Sequence, residues 1–233
     1  MGGVGDPGNA DDTLPQGPFG AVAYSYSISK HETTNAEYAV FLNAKAASDR
    51  LGLFHPSMES NTHGGIVRTG TSGSYSYTVK SGFEDEPVNF VTFFDALSFA
   101  NWMENGEENG DTETGSYTLQ GGTETPSNAA TVERNPGASV VLPVQDEWFK
   151  AAYYDGTTQT YYDYPMGSDT VPTCTSPKAT PAARTTATAS FAASRSLGPI
   201  RGLRALTERS TRAGTCTSGM RTSRSAADGS AGA

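Results

Sequence analysis

The residues able to do chemistry are few in this chain, and their spacing decides what each can do. His31, His55 and His63 invite a metal site, but they fit no ligand motif and stand in loop or turn contexts, so ordinary surface histidines are expected. The run Asn105-Gly-Glu-Glu-Asn-Gly-Asp-Thr-Glu113 is acidic enough to attract calcium, yet it lacks the ordered oxygen spacing of a calcium loop and reads as a solvated one. Glu32, Asn35, Glu37 and Glu147 have the chemistry of general acids, bases and amides. They sit at the starts of helices, where capping and structural hydrogen bonding are the expected work. Cys174 has no cation close in sequence to lower its pKa, and with Cys216 it makes no CxxC or Cys/His cluster, so neither zinc nor a disulfide framework is expected. Gly70-Thr-Ser-Gly73 fails the nucleophile elbow at its last position, and neither a phosphate loop nor a dinucleotide fingerprint occurs.

The elements that must position these residues are legible from periodicity. Alternation at Val22, Tyr24, Tyr26 and Ile28 predicts a half-buried strand. Thr34 and Glu37 have the spacing of a capping box, and Tyr38, Phe41, Leu42 and Ala46 then line one helical face. After a loop carrying Gly64-Gly65, Tyr75, Tyr77 and Val79 alternate as a second strand or hairpin arm. Pro87 to Val91 enters a second helix, with Thr92 and Asp95 as a weaker capping pair and a stripe of Ala96, Phe99, Ala100 and Met103 ending at Asn105-Gly106. Val140 to Pro143 leads into a third helix whose expected buried face is Trp148, Ala151 and Ala152. The stretch from Glu107 to Ala138 is too polar to be core, with a hairpin expected around Tyr117 and Leu119. Trp102 and Trp148 fall among apolar helix positions, which favours packing over ligand stacking.

Those three helix starts carry a resemblance. His31-Glu-Thr-Thr-Asn-Ala-Glu-Tyr38 with Phe41-Leu-Asn43, Pro87-Val-Asn-Phe-Val-Thr-Phe-Phe-Asp-Ala-Leu-Ser-Phe-Ala-Asn-Trp102, and Leu142-Pro-Val-Gln-Asp-Glu-Trp-Phe-Lys-Ala-Ala-Tyr153 resemble, in order, three segments of the formylglycine-generating enzyme or sulfatase-modifying factor family. The matching signature positions are Glu32, Thr34, Asn35, Glu37, Tyr38, Pro87, Val88, Asp95, Ala96, Trp102, Leu142, Pro143, Glu147 and Trp148, all expected to be structural. The resemblance implies an α+β, C-type-lectin-like fold with little regular secondary structure. It also implies copper-dependent oxidation of a sulfatase cysteine to formylglycine, with calcium as a further family cofactor. Where the family places Ser or Thr before the third helix this chain has Val144, which cannot cap and should cost about 1 kcal/mol.

Composition divides the chain. Of 233 residues, 36% are hydrophobic and 18% charged, with a net charge of −9, which suits a globular protein and makes nucleic acid an improbable partner. From Lys178 onward there are nine basic and two acidic residues, against seven and 23 before it, and Phe191 is the last aromatic. The expected organisation is a polar lead-in over 1–19, the family-like domain over 20–177 and a basic, disordered tail over 178–233. The family's closing region, with its GNVWEW segment, calcium ligands and paired copper cysteines, is missing as read. No catalytic, metal or cofactor residue is therefore assigned. Yet codons built from the last base of each residue and the first two of the next let the run Leu206 to Arg221 spell AYGTFDQGGNVYEWNE. That implies a frameshift near Pro181 to Arg184, and loss of the family's C-terminal half. If that half packs against the three motifs in the intact domain, its loss should expose apolar surface on Tyr38, Phe41, Phe99 and Trp148. The rival reading is a non-catalytic, lectin-like module of an exported bacterial protein, presenting loops to a protein or glycan. Its loops are Gly/Asn/Thr-rich, neither a signal peptide nor a membrane span is visible, and an exported protein would need a leader before Met1.

Overall fold

The computed structural model describes residues 1–14, 17–165 and 167–171, and the backbone of 194–196. Regular structure is sparse and mixed. Strand β1 (Gly2–Val4) is followed by β2 (Asp12–Leu14), β3 (Gly17–Phe19) and β4 (Tyr26–Ile28). Helix α1 (Asn35–Lys45), the single turn α2 (Ser57–Ser60), β5 (Ile66–Thr69), β6 (Ser76–Val79), α3 (Phe93–Glu104), α4 (Gln145–Tyr153), β7 (Tyr154–Asp155), β8 (Thr160–Tyr161) and β9 (Ser194–Ser196) complete the order. The sheets are small and antiparallel: β1-β4-β9, and the pairs β2-β3, β5-β6 and β7-β8.

Two capping boxes fix the helix starts. Thr34 Oγ1 accepts from the Glu37 amide while the Glu37 carboxylate accepts from the Thr34 amide at 2.8 Å. Thr92 and Asp95 do the same for α3, with the return bond also 2.8 Å, so the second pair is as complete as the first. Each satisfies two orphan amides that would otherwise be lost at a covered helix end.

Helices α1 and α3 pack on a common floor. Tyr38, Phe41, Leu42, Phe99 and Trp102 form one cluster with Leu53, Phe54, Met58, Ile66 and Tyr77, and the Phe41 ring lies 5.2 Å from both Phe99 and Trp102. Tyr38, Phe41 and Phe99 are therefore covered, at 1%, 0% and 9% exposure. The expectation that they would be laid bare is corrected: the helices, with β5 and β6, cover one another.

The run at Tyr75, Tyr77 and Val79 is a hairpin arm: the loop around Gly64-Gly65 leads directly into β5, which pairs with β6 from Ile66↔Val79 to Thr69↔Ser76. Other expectations change. The stretch from Glu107 to Ala138 is not excluded from the core, since Tyr117, Leu119 and Val132 are buried against α3 with Val141 and Leu142. It forms no hairpin at Tyr117, which bridges to Arg134 instead. Part of its backbone is satisfied from α3: Asn101 accepts from the Tyr117 amide at 2.7 Å and donates to the Thr112 carbonyl at 2.8 Å. The polar lead-in carries strands β1 to β3. The tail, expected to be disordered, has Ser194–Ser196 laddered to β4 by backbone bonds that almost any residue type can make, and the rest of 178–233 lies outside the described residues. Among the described residues no helix is long and apolar enough to cross a membrane.

Candidate functional site

The largest assembly of polar chemistry surrounds α4. Glu147, at its third position, is fully covered, and its carboxylate takes a two-pronged salt bridge from Arg134 at 3.1 and 2.7 Å. Tyr24 donates to the same carboxylate at 2.6 Å, and the Val144 amide donates at 2.7 Å. Tyr26 bonds to the Glu147 carbonyl, and Arg134 reaches the Leu142 carbonyl as well. Burial, reinforced by Glu147, raises the pKa of both the Tyr24 and Tyr26 hydroxyls above the usual tyrosine range. Burial alone would lower the Arg134 pKa, but Glu147 outweighs it and the guanidinium is held more firmly charged.

Chemically this is a clamp. Every Glu147 oxygen is engaged by a cation, a hydroxyl or an amide, which leaves no lone pair facing a substrate. Its geometry ties β4, the segment before α4 and α4 itself into one unit. It also keeps half of a capping box: Val144 offers no acceptor to the Glu147 amide, but the Glu147 carboxylate still accepts from the Val144 amide, and the helix forms. The expected buried face of α4 is corrected. Glu147, Phe149 and Lys150 are buried, while Trp148, Ala151 and Ala152 are only partly covered: the covered face is the one on which Glu147 pairs with Arg134, Phe149 packs on Phe19 and Lys150 donates to the Asp6 carbonyl.

The other sequence candidates are dispersed. Asn35 is buried beneath the 83–87 loop and donates to the carbonyls of Phe83 and Glu86 at 3.0 and 2.9 Å. Pro87 bridges Thr34, and Val88 packs against the α1 cluster. Trp102 is covered and donates to the Glu108 carbonyl at 3.2 Å. His31, His55 and His63 are exposed, with His55 stacked on Phe90. Asp111, in the acidic loop, spends its carboxylate on the Glu113 amide and the Thr114 hydroxyl, which also lowers its pKa. Among the described residues no three His, Cys, Asp or Glu side chains gather for a metal ion, and those residues include no cysteine. They therefore supply no thiolate pair for copper, and Cys174 and Cys216 lie outside them.

An open cleft of about 200 Å³ lies between the lead-in and the β7-β8 turn, lined by Asp11, Asp12, Thr13, Tyr154, Thr160 and Tyr161. Sequence reasoning missed both this cleft and Arg134. The first is assembled by segments some 150 residues apart, and the second sits in a stretch with no periodicity to mark it.

The family model described as "Sulfatase-modifying factor enzyme 1-like domain" matches residues 2–204. No curated protein and no solved structure matches the chain.

Proposed function

The chain belongs to the sulfatase-modifying factor family, and from that premise we propose that it is a formylglycine-generating-enzyme-like scaffold that does not itself oxidise cysteine in the form given by these 233 residues. Membership brings the C-type-lectin-like fold, in keeping with the few helices and small sheets. The observation that carries the reading is the use made of the titratable groups around the family motifs. Glu37, Asp95 and Glu147 are spent on helix starts and a buried ion pair, which leaves the chemistry to a closing region with paired thiolates. The family's cysteine pair and GNVWEW segment are not legible in frame, whereas the other frame can spell GGNVYEW between Leu206 and Arg221.

Two measurements test this. The nucleotide sequence across the codons for Pro181 to Arg224 must spell AYGTFDQGGNVYEWNE in the shifted frame, and any other string ends the frameshift reading. Purified chain incubated with a sulfatase-motif peptide, copper and dioxygen should leave the peptide cysteine unchanged by mass spectrometry. Conversion to formylglycine would overturn the proposed inactivity.

A second reading, a binding module for a glycan or protein, draws on the cleft lined by Asp11, Asp12, Tyr154 and Tyr161. Glycan-array binding lost in a variant of the exposed Asp11, Asp11→Asn, would favour it. Binding unaffected by that change would remove the cleft from consideration.

A further inference from the structure

Residues 1–8 lie over α4 and β4 as a strap held by a short ladder, the Asp6 contacts and a bond from the Gly8 amide to the Val22 carbonyl at 2.8 Å. Four of the eight are glycine, and a side chain at Gly3, Gly5 or Gly8 would meet nothing within 4 Å. The ladder to β4 is three residues long, and Val4 alone brings an apolar side chain to Val22, Tyr26 and Ile28. Behind the strap stands Asn9, which is an anchor. Its buried amide donates to the Gly20 carbonyl at 2.8 Å and to the Tyr161 hydroxyl at 2.6 Å, and accepts from the Val22 amide at 3.2 Å.

The strap is latched at Asp6. Its carboxylate accepts from the Tyr154 hydroxyl, and its carbonyl accepts from the Lys150 ammonium at 2.7 Å. Lys150 is fully covered and its ammonium lies 5.6 Å from the centre of the Tyr154 ring. A buried cation held by one carbonyl and a ring is poorly compensated for its lost water.

We propose that residues 1–8 open as a unit about Asn9, with Lys150 beneath Asp6 as a pH-sensitive latch that tightens as pH rises. Burial lowers the Lys150 pKa, the Asp6 carboxylate partly opposing it. The closed strap therefore prefers the neutral amine and the open, rehydrated one the ammonium, so closure gains as pH climbs from the lowered value towards about 10.4, where free lysine titrates. The groups facing the latch are Asp6 on the strap and Tyr154 on β7, with Asp155 and Tyr161 beyond the Tyr154 ring. The Tyr154 hydroxyl, pushed up to about 12 chiefly by its bond to Asp6, stays protonated through this range. Glu147, one turn back on α4, is committed to Arg134.

Millisecond-mixing hydrogen exchange, corrected for intrinsic rates, reads the opening directly. Strap amides should exchange far faster than those of α3, with an opening constant that falls several-fold between pH 7 and 9.5. In Lys150→Met that fall should vanish while α3 protection persists. Strap amides as protected as α3, or a pH response kept in Lys150→Met, would overturn the proposal. Should Lys150→Met lose α3 protection, Tyr154→Phe decides instead: it should raise strap opening several-fold at unchanged α3 protection, and no change would overturn the latch.

Discussion

The residue that bears most is Glu147. Removing one member of a buried, hydrogen-bonded ion pair leaves the other without compensation, at about 3–5 kcal/mol. Arg134→Met and Glu147→Gln should each cost that much in urea unfolding, and Arg134→Met combined with Glu147→Leu should cost less than the sum of its single changes, because the uncompensated charge has gone. Near-zero single effects would show the pair to be solvated. The tyrosines set an alkaline limit. Tyr24, Tyr26 and Tyr38 have pKa values raised by burial, so in the folded state they hold protons that the unfolded chain releases above about pH 10. Stability from these groups is complete below that pH and is lost as pH rises past it. A titration of the unfolding midpoint from pH 8 to 12 should fall steeply above 10, and less steeply in Tyr24→Phe.

Among the elements, the helix starts were legible and the helix faces only in part. The capping boxes at Thr34 and Thr92 depend on residues three apart, and a spacing that short survives any tertiary arrangement. Thr34→Ala and Thr92→Ala should each cost about 1 kcal/mol, and Val144→Thr should stabilise by about 0.5–1 kcal/mol by adding the hydroxyl that α4 lacks. Equal thermal midpoints for Val144→Thr and the parent would show that the Glu147 carboxylate already does all the capping available. The stripe of α4 was misread because its covered face mixes a charged pair, Glu147 with Arg134, and Lys150 with the apolar Phe149, a pattern that apolar spacing does not mark. Gly64 and Gly65 mark a close approach that no periodicity reveals. A β-carbon at Gly64 would stand 2.3 Å from the Ser57 carbonyl oxygen, and one at Gly65 2.5 Å from the Asn35 amide. Gly64→Ala, facing backbone that cannot yield, should be the more damaging, by roughly 1–3 kcal/mol on unfolding.

At the scale of the whole molecule, the mutual covering of α1, α3, β5 and β6 predicts one cooperative transition with little binding of a hydrophobic dye. A gradual melt with strong dye binding would contradict the packing. Charge is segregated along the chain, with 23 acidic and seven basic residues before Lys178. The unit holding the core is thus strongly anionic, and its solubility should drop sharply as the pH approaches the carboxylate range.

The family, the three helix starts, the strand at Tyr26 and Ile28 and the apolar set on α1 and α3 are legible in the residues alone, because each rests on positions a few apart whose geometry is local. That Arg134 meets Glu147, that Tyr117 and Leu119 enter the core and that residues 1–8 lie over Lys150 emerges from the folded chain. Those contacts reach beyond any one helix or strand, from 13 residues apart for Arg134 and Glu147 to 144 for Asp6 and Lys150, and what selects them is the cost of burying charge and backbone without partners, a quantity that no local periodicity contains.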